Sequence, residues 1–256
     1  MCLVLLAYDA HPELWLVLAA NRDELHARPA APAGFWEDAP GVFGGRDLDK
    51  RGTWLGMTRG GRIAALTNVR DLAARREGRS RGLLVRDYLT SQASPHAFSG
   101  ALVRTAYPAF NLIAGVGRQL FYLRDDQPDA IPIAPGLHGL SNARLDVFWP
   151  KVEDGVRGLR GVLDAPASPS PEAFFRLLAR RDVAPDDLLP QTGVPLELER
   201  HLSAPFIHLP QYGTRCSTVV LAHRDGTVYV EERTFDADGV PCGLVCETFR
   251  EETFRA

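Results

Sequence analysis

Cysteine, net charge and long apolar runs are all scarce in this sequence. Its 256 residues include four cysteines, Cys2, Cys216, Cys242 and Cys246, and carry a formal net charge of -3. Four cysteines are too few for a disulfide scaffold, and the Cys242/Cys246 spacing matches neither a zinc pattern nor a haem-attachment motif. We interpret all but Cys2 as reduced structural cysteines. The charge balance gives no reason to expect a nucleic-acid partner, and we predict no metal site.

No apolar run approaches the roughly 20 residues of a membrane-spanning helix. The run at residues 2–7 is too short for a secretory signal and has no positively charged segment before it. We therefore expect a cytoplasmic protein with no membrane span, whose native start is Met1 followed by Cys2. Apolar residues make up 45% of the chain, which supports a sizeable core, and we predict a single domain over residues 1–256.

The order of apolar patterns predicts strands, then helices, then strands. Residues 2–8 and 14–20 form a predicted buried hairpin, and residues 217–222 and 227–233 form another around a favourable turn. Helices are predicted near residues 82–90, 95–105, 146–163 and 171–180, and a short one within 182–202. Residues 25–52 are rich in Pro, Gly and Ala, which predicts a long functional loop. This order favours an α+β protein, a four-layer αββα sandwich with two sheets inside.

Cys2 is the residue whose position most strongly indicates chemistry. Removal of the initiator Met leaves Cys2 with a thiol and a free α-amine, and the amine can act as base for the thiol. The predicted hairpin returns Asn21, Arg22 and Asp23 to the side of Cys2. In that arrangement Asp23 holds the amine, and Arg22 lowers the pKa of the thiol. The structural alternative is a small apolar residue that begins a strand, opposite a solvated, salt-bridged turn.

Three further polar residues stand at predicted strand ends. Asn68 and Asn142 carry amides that can donate to an oxyanion, and Arg215 can orient a carboxylate. Trp54 is a candidate for lining a pocket. Taken singly, each of these polar residues is more typical of a turn or a strand end. Trp54, taken singly, is more typical of a hydrophobic core.

Several motifs together resemble one known family. They are MCLV at the start, AANRDE at residues 19–24, TWLGMTRGGRIAALTNVRD at 53–71, GLSNA at 139–143 and YGTRCSTVVL at 212–221. On these the chain is similar to the NRDE family, the transport-and-Golgi-organisation proteins. The resemblance implies an N-terminal-nucleophile hydrolase fold like that of penicillin V acylases and bile-salt hydrolases.

The same resemblance implies site roles for particular residues. The catalytic set becomes Cys2, Arg22, Asp23, Asn142 and Arg215, with Asn68 as a second oxyanion donor. In the acylases two residues separate the Arg from the Asp, whereas here Arg22 and Asp23 are adjacent, so their side chains would point to opposite faces of a strand. Either Asn21 or Asp23 can then take the inward role, and we include Asn21 with Trp54 among the substrate-binding candidates.

Two functions are consistent with these residues and motifs. The first is a cysteine N-terminal-nucleophile hydrolase acting on a non-peptide linear amide, thioester or similar acyl bond, with no cofactor required. The second is a non-catalytic carrier that holds haem or an acyl lipid in the same cleft, because the family is associated with secretory organisation, lipid metabolism and haem trafficking.

Overall fold

Two antiparallel sheets form the centre of the protein in a computed structural model that describes residues 2–71, 73–74 and 77–252. The first sheet has the spatial order β10 (Gly136–Leu140), β1 (Cys2–Tyr8), β2 (Leu14–Leu25), β11 (Tyr212–His223), β12 (Thr227–Phe235) and β13 (Pro241–Arg250). The second has the order β3 (Ala30–Trp36), β4 (Ala39–Asp47), β5 (Leu55–Thr58), β6 (Arg62–Asn68), β7 (Phe110–Val116), β8 (Gln119–Arg124) and β9 (Ile131–Pro132). Each sheet therefore has consecutive hairpins, and the first also joins the two ends of the chain.

Helices cover the outer face of each sheet. They are α1 (Gly82–Thr90), α2 (Pro95–Ala101), α3 (Pro150–Leu163), α4 (Pro171–Leu178) and α5 (Leu196–Leu202), with short 3-10 helices at Arg104–Ala106 and Asp186–Leu188. Within the described residues, none of these helices has the length and apolar character needed to span a membrane.

Three apolar clusters hold the layers together. The central cluster lies between the sheets and includes Val4 and Phe43. A second, around Tyr88, joins the seven-stranded sheet to α1. A third, around Phe174, joins the six-stranded sheet to α3 and α4. Helix, sheet, sheet and helix thus form four successive layers, which confirms the predicted αββα sandwich.

The register of the β1–β2 hairpin brings residues 21–23 close to Cys2, as predicted. Cys2 lies directly opposite Arg22, and β2 continues past its predicted end at residue 20 to Leu25. Successive side chains alternate between faces, so Val4 belongs to the cluster between the sheets and Leu3 to the cluster under the helices. Cys2 is on the same face of β1 as Val4, so its side chain points into the space between the sheets.

The predicted loop over residues 25–52 is wrong, because most of this segment forms β3 and β4. Its Ala, Pro and Gly residues have low strand propensity, and pairing with neighbouring strands overrides that propensity. A Cβ on Gly44 would lie 2.7 Å from the carbonyl oxygen of Leu55, so one glycine is required by close strand packing. The edge strand β13 was also not predicted, because most of its side chains are exposed and show no apolar alternation.

Gly52 fixes the contact between the end of this segment and α1. A Cβ at Gly52 would lie 2.4 Å from the carbonyl carbon of Gly82, and no side-chain rotation can relieve that contact. We expect Gly52→Ala to lower the free energy of unfolding by about 2 kcal/mol or more, measured by urea denaturation. A Cβ at Gly41 would have no atom within 4 Å, so Gly41→Ala is the matched control, expected within about 0.5 kcal/mol of the parent. Equal stability of the two variants would contradict this role of Gly52.

Candidate functional site

A cavity of about 610 Å³ opens between the two sheets at the start of β1. Six of the eight predicted site residues line it: Cys2, Arg22, Asp23, Trp54, Asn68 and Arg215. The remaining wall comes mainly from the start of β3, the end of β4, the segment before α1, and β12 and β13. The cavity therefore brings together residues from nearly the whole length of the chain, from Cys2 to Val245.

Cys2 lines this cavity and has 6% of its surface exposed. Burial raises the pKa of its thiol, and the nearby Arg22 guanidinium and the Asp23 backbone N–H act in the opposite direction. Arg22 thus acts on the thiol pKa in the predicted direction, but the net pKa is raised and not lowered, because desolvation outweighs the attraction. In this environment the thiol keeps its proton at neutral pH, so a nucleophilic reaction needs a base to remove it.

Arg22 is flanked by two thiols on the inner face of the sheet. It pairs with Cys2 on β1 and with Cys216 on β11. Cys216 is 7% exposed, and burial raises its pKa well above the ordinary value. Cys216 is thus an internal reference for Cys2: a second buried thiol in the same cavity, but within a strand instead of at its start.

Asp23 lies on the opposite face of β2 from Arg22, as the alternation of the strand requires. Its Oδ1 accepts a hydrogen bond of 2.7 Å from Thr214 Oγ1. Burial raises the pKa of the carboxyl, while Lys151, Thr214 and Arg22 act to lower it. Asp23 is part of the cavity lining, and its backbone N–H faces the thiol of Cys2 at the start of β1.

Asn21 is completely buried and does not fit its predicted substrate-binding role. Its Nδ2 donates to the carbonyl oxygens of Leu178 and Pro205, each at 2.9 Å, and its Oδ1 accepts from Ser217 Oγ at 2.6 Å. These bonds join β2 to the layer of helices outside it. Because Asn21 shares the outer face with Asp23, only Asp23 of the two reaches the cavity wall.

Asn68 and Asn142 meet at one corner of the cavity. Asn142 Nδ2 donates to the backbone oxygen of Asn68 at 2.8 Å, and Asn142 Oδ1 accepts from Ser141 Oγ at 3.2 Å. Asn68 lines the cavity, whereas Asn142 is buried behind it. Of the two asparagines, Asn68 is therefore the one that lies in the cavity wall, and Asn142 fixes the backbone that carries it.

Arg215 is the extra residue of a β-bulge. Thr214 opposes Asp23 and Cys216 opposes Arg22, so Arg215 has no partner on β2. Its Nη1 lies within 3.2 Å of three carbonyl oxygens, those of Leu25, His26 and Arg28. Arg215 thus binds the turn between β2 and β3, which forms one rim of the cavity.

Other charged residues of the cavity, most of them basic, were not predicted from the sequence. The wall includes Arg28, Arg46, Lys50, Arg79 and Arg81, with Asp47 and Glu232 among the acids. Burial lowers the pKa of Arg81 and raises that of Glu232. Arg46 follows two glycines, but this pattern matches no known binding motif, so no sequence signal identified it. Within the described chain, no group of three or more His, Cys, Asp or Glu side chains is arranged to hold a metal ion.

Comparison with solved structures assigns the fold. The chain resembles the Caenorhabditis elegans N-acylethanolamine-hydrolyzing acid amidase (NAAA) ortholog with a TM-score of 0.50, at 12% sequence identity, over 86% of this chain and 92% of that one. At this sequence identity the likeness is one of fold, and it agrees with the four-layer αββα sandwich of this chain.

Comparison of sequences assigns the family. The chain is 35% identical to the Transport and Golgi organization protein 2 homolog of Bos taurus and 32% identical to that of Homo sapiens, in each case over 91% of this chain and 93% of the relative. The Drosophila melanogaster Transport and Golgi organization protein 2 is 28% identical over 91% of this chain and 92% of its own length. The profile described as Transport and Golgi organisation 2 matches residues 1–237. The chain therefore belongs to the Transport and Golgi organisation 2 family.

Proposed function

We propose that this protein is a cysteine N-terminal-nucleophile hydrolase that cleaves a non-peptide linear amide, a thioester or a similar acyl bond. The observation that carries the proposal is the position of Cys2 at the start of β1, opposite Arg22, beside Asp23 and open to a cavity of about 610 Å³. The structural neighbour is named for hydrolysing N-acylethanolamine, which supports an acyl amide as one substrate class.

The proposed reaction uses the thiol and the amine of the same residue. As Cys2 Sγ attacks the acyl carbonyl, the thiol proton passes to the Cys2 amine and the carbonyl oxygen becomes an oxyanion. The Asn68 amide is the proposed donor to that oxyanion. When the tetrahedral intermediate collapses, the bond to the leaving group breaks, and the leaving group takes the proton from the amine. Water then attacks the acyl-thioester, the amine accepts its proton, and the thiol is regenerated as the acid is released.

This reaction requires the residue before Cys2 to be removed. Met1 lies outside the described residues, so the requirement is tested by intact mass of the purified protein. We expect the mass to correspond to a chain that begins at Cys2. Brief treatment with iodoacetamide at neutral pH, followed by peptide mapping, should then label Cys2 at least about tenfold faster than Cys216, which has nearly the same exposure.

The second candidate is a carrier that binds haem or an acyl lipid in the same cavity without turnover. The raised pKa of Cys2 and the transport function in the names of the relatives favour it. A retained Met1, or a Cys2 that is labelled no faster than Cys216, would contradict the hydrolase proposal. Titration with haemin and with dodecanoyl-coenzyme A would then be the test of the carrier.

A further inference from the structure

The chain contains two lysines among its 29 basic residues, and one of them is buried. Lys50 is a surface residue with a side chain 55% exposed, paired with Asp49 at 3.3 Å. Lys151 is 2% exposed, and its Nζ has no hydrogen-bond partner among the described residues. It lies in the first turn of α3, where the helix dipole disfavours a cation. Helix stability therefore does not explain why an ammonium group occupies this position.

Four charged side chains interact in the space behind Cys2. Among the opposite charges that act on Lys151, Asp23 is the strongest, and Glu199 acts in the same direction. Arg70 opposes them, but it is paired with Glu199 at 3.2 Å, and both side chains are buried. Lys151 and Arg70 are positive, Asp23 and Glu199 are negative, and the Arg22 guanidinium also acts on Asp23.

A free amine on Cys2 would join this group as a further ionisable site. The register that pairs Cys2 with Arg22 puts the backbone nitrogen of Cys2 at the start of β1, on the side of Asp23. The negative charge of Asp23 would attract a proton to the amine and hold it, since an opposite charge favours the charged form. A protonated amine cannot accept the proton of the Cys2 thiol.

We propose that Lys151 is a positioning residue that neutralises Asp23 and thereby keeps the freed amine of Cys2 in its uncharged, basic form. This inference rests on the proposed function, in which that amine is the base. With Lys151 present, protonation of the amine would place a second positive charge near the ammonium group of Lys151, which is unfavourable. Without Lys151, that repulsion is absent, and the attraction of Asp23 favours the protonated amine.

The ionisation of Lys151 is consistent with this role. Burial lowers its pKa to about 8, while the charge of Asp23 acts to raise it. Lys151 is therefore still cationic at pH 7, where it can repel a second cation. Cys2 on β1 and Arg70 after β6 are the other groups that act on it, together with Glu199 on α5.

The test is a titration of the N-terminal amine. The protein is expressed behind a cleavable domain whose protease leaves residue 2 at the N-terminus, in a Cys2→Ala background so that no thiol competes. Acetic anhydride then labels the α-amine and Lys50 between pH 6 and 10, with Lys50 as internal reference. We expect a midpoint for the α-amine below the ordinary value of about 7.7. Lys151→Met should raise this midpoint by about 1 unit or more, and Lys151→Arg should restore it.

Arg157→Met, which removes an exposed cation from the same helix α3, is the matched control and should leave the midpoint unchanged. An unchanged midpoint in a folded Lys151→Met protein would overturn the proposal and leave Lys151 a structural residue. If Lys151→Met does not fold, Asp23→Asn gives the second test. It removes the negative charge and should lower the midpoint, and an unchanged midpoint would again overturn the proposal. Because the titration does not use Cys2, its result is independent of whether Cys2 proves reactive.

Discussion

Cys2→Ala should lower the hydrolysis of an acyl substrate by at least about 10³-fold while leaving the fold intact. Alanine can replace Cys2 in the core with little loss of packing, because the Cys2 side chain is small and lies at the start of β1. The loss should therefore appear in kcat and not in the free energy of unfolding. Suitable probes are N-dodecanoyl-7-amino-4-methylcoumarin for an amide and S-dodecanoyl-N-acetylcysteamine for a thioester.

Cys246→Ala is the matched control for this experiment. Cys246 is an exposed cysteine on β13 that does not line the cavity, so its loss should change the rate by less than about twofold. Cys2→Ser gives a graded case, since a hydroxyl can be activated by the same amine but is the weaker nucleophile. A Cys2→Ala protein that hydrolyses either probe as fast as the parent would refute the hydrolase mechanism.

The closeness of Cys2 to the Asn-Arg-Asp-Glu segment was predictable from sequence because it depends on local structure. Two apolar runs separated by a short polar turn predict a hairpin, and an antiparallel hairpin returns the end of its second strand to the start of its first. Alternation along that strand also predicts that Arg22 and Asp23 point to opposite faces. The structure adds the direction: Arg22 points to the space between the sheets, and Asp23 to the side of α3.

Features that depend on contacts between distant segments were not predictable. Lys151 reaches the site because α3 packs on β1, and nothing in the sequence around residue 151 indicates that contact. Arg215 owes its direction to a bulge that appears only when β11 pairs with β2. The thiol pKa was predicted in the wrong direction for a similar reason, since burial by remote strands outweighs the charge of a neighbouring arginine.

Asn21→Leu should lower the free energy of unfolding by about 3 kcal/mol or more, although Asn21 is only two residues from Asp23. Leucine has a similar volume, so the change removes hydrogen bonds without opening a cavity. It leaves three buried groups without their partner: the carbonyl oxygens of Leu178 and Pro205, and the hydroxyl of Ser217. Each unpaired buried group costs about 1–3 kcal/mol, and urea denaturation measures the total.

Asn68→Leu is the matched control, because it makes the same change at an asparagine that lines the cavity. We expect it to alter stability by less than about 1 kcal/mol and to lower kcat by about 10²-fold or more, as loss of an oxyanion donor does. The two asparagines should thus separate cleanly, one affecting stability and the other affecting rate. If Asn21→Leu were as stable as the parent but inactive, Asn21 would belong to the reacting site and not to the contact between β2 and the helices. If Asn68→Leu turned over either probe at the parent rate, the oxyanion donor would have to be sought elsewhere in the cavity wall.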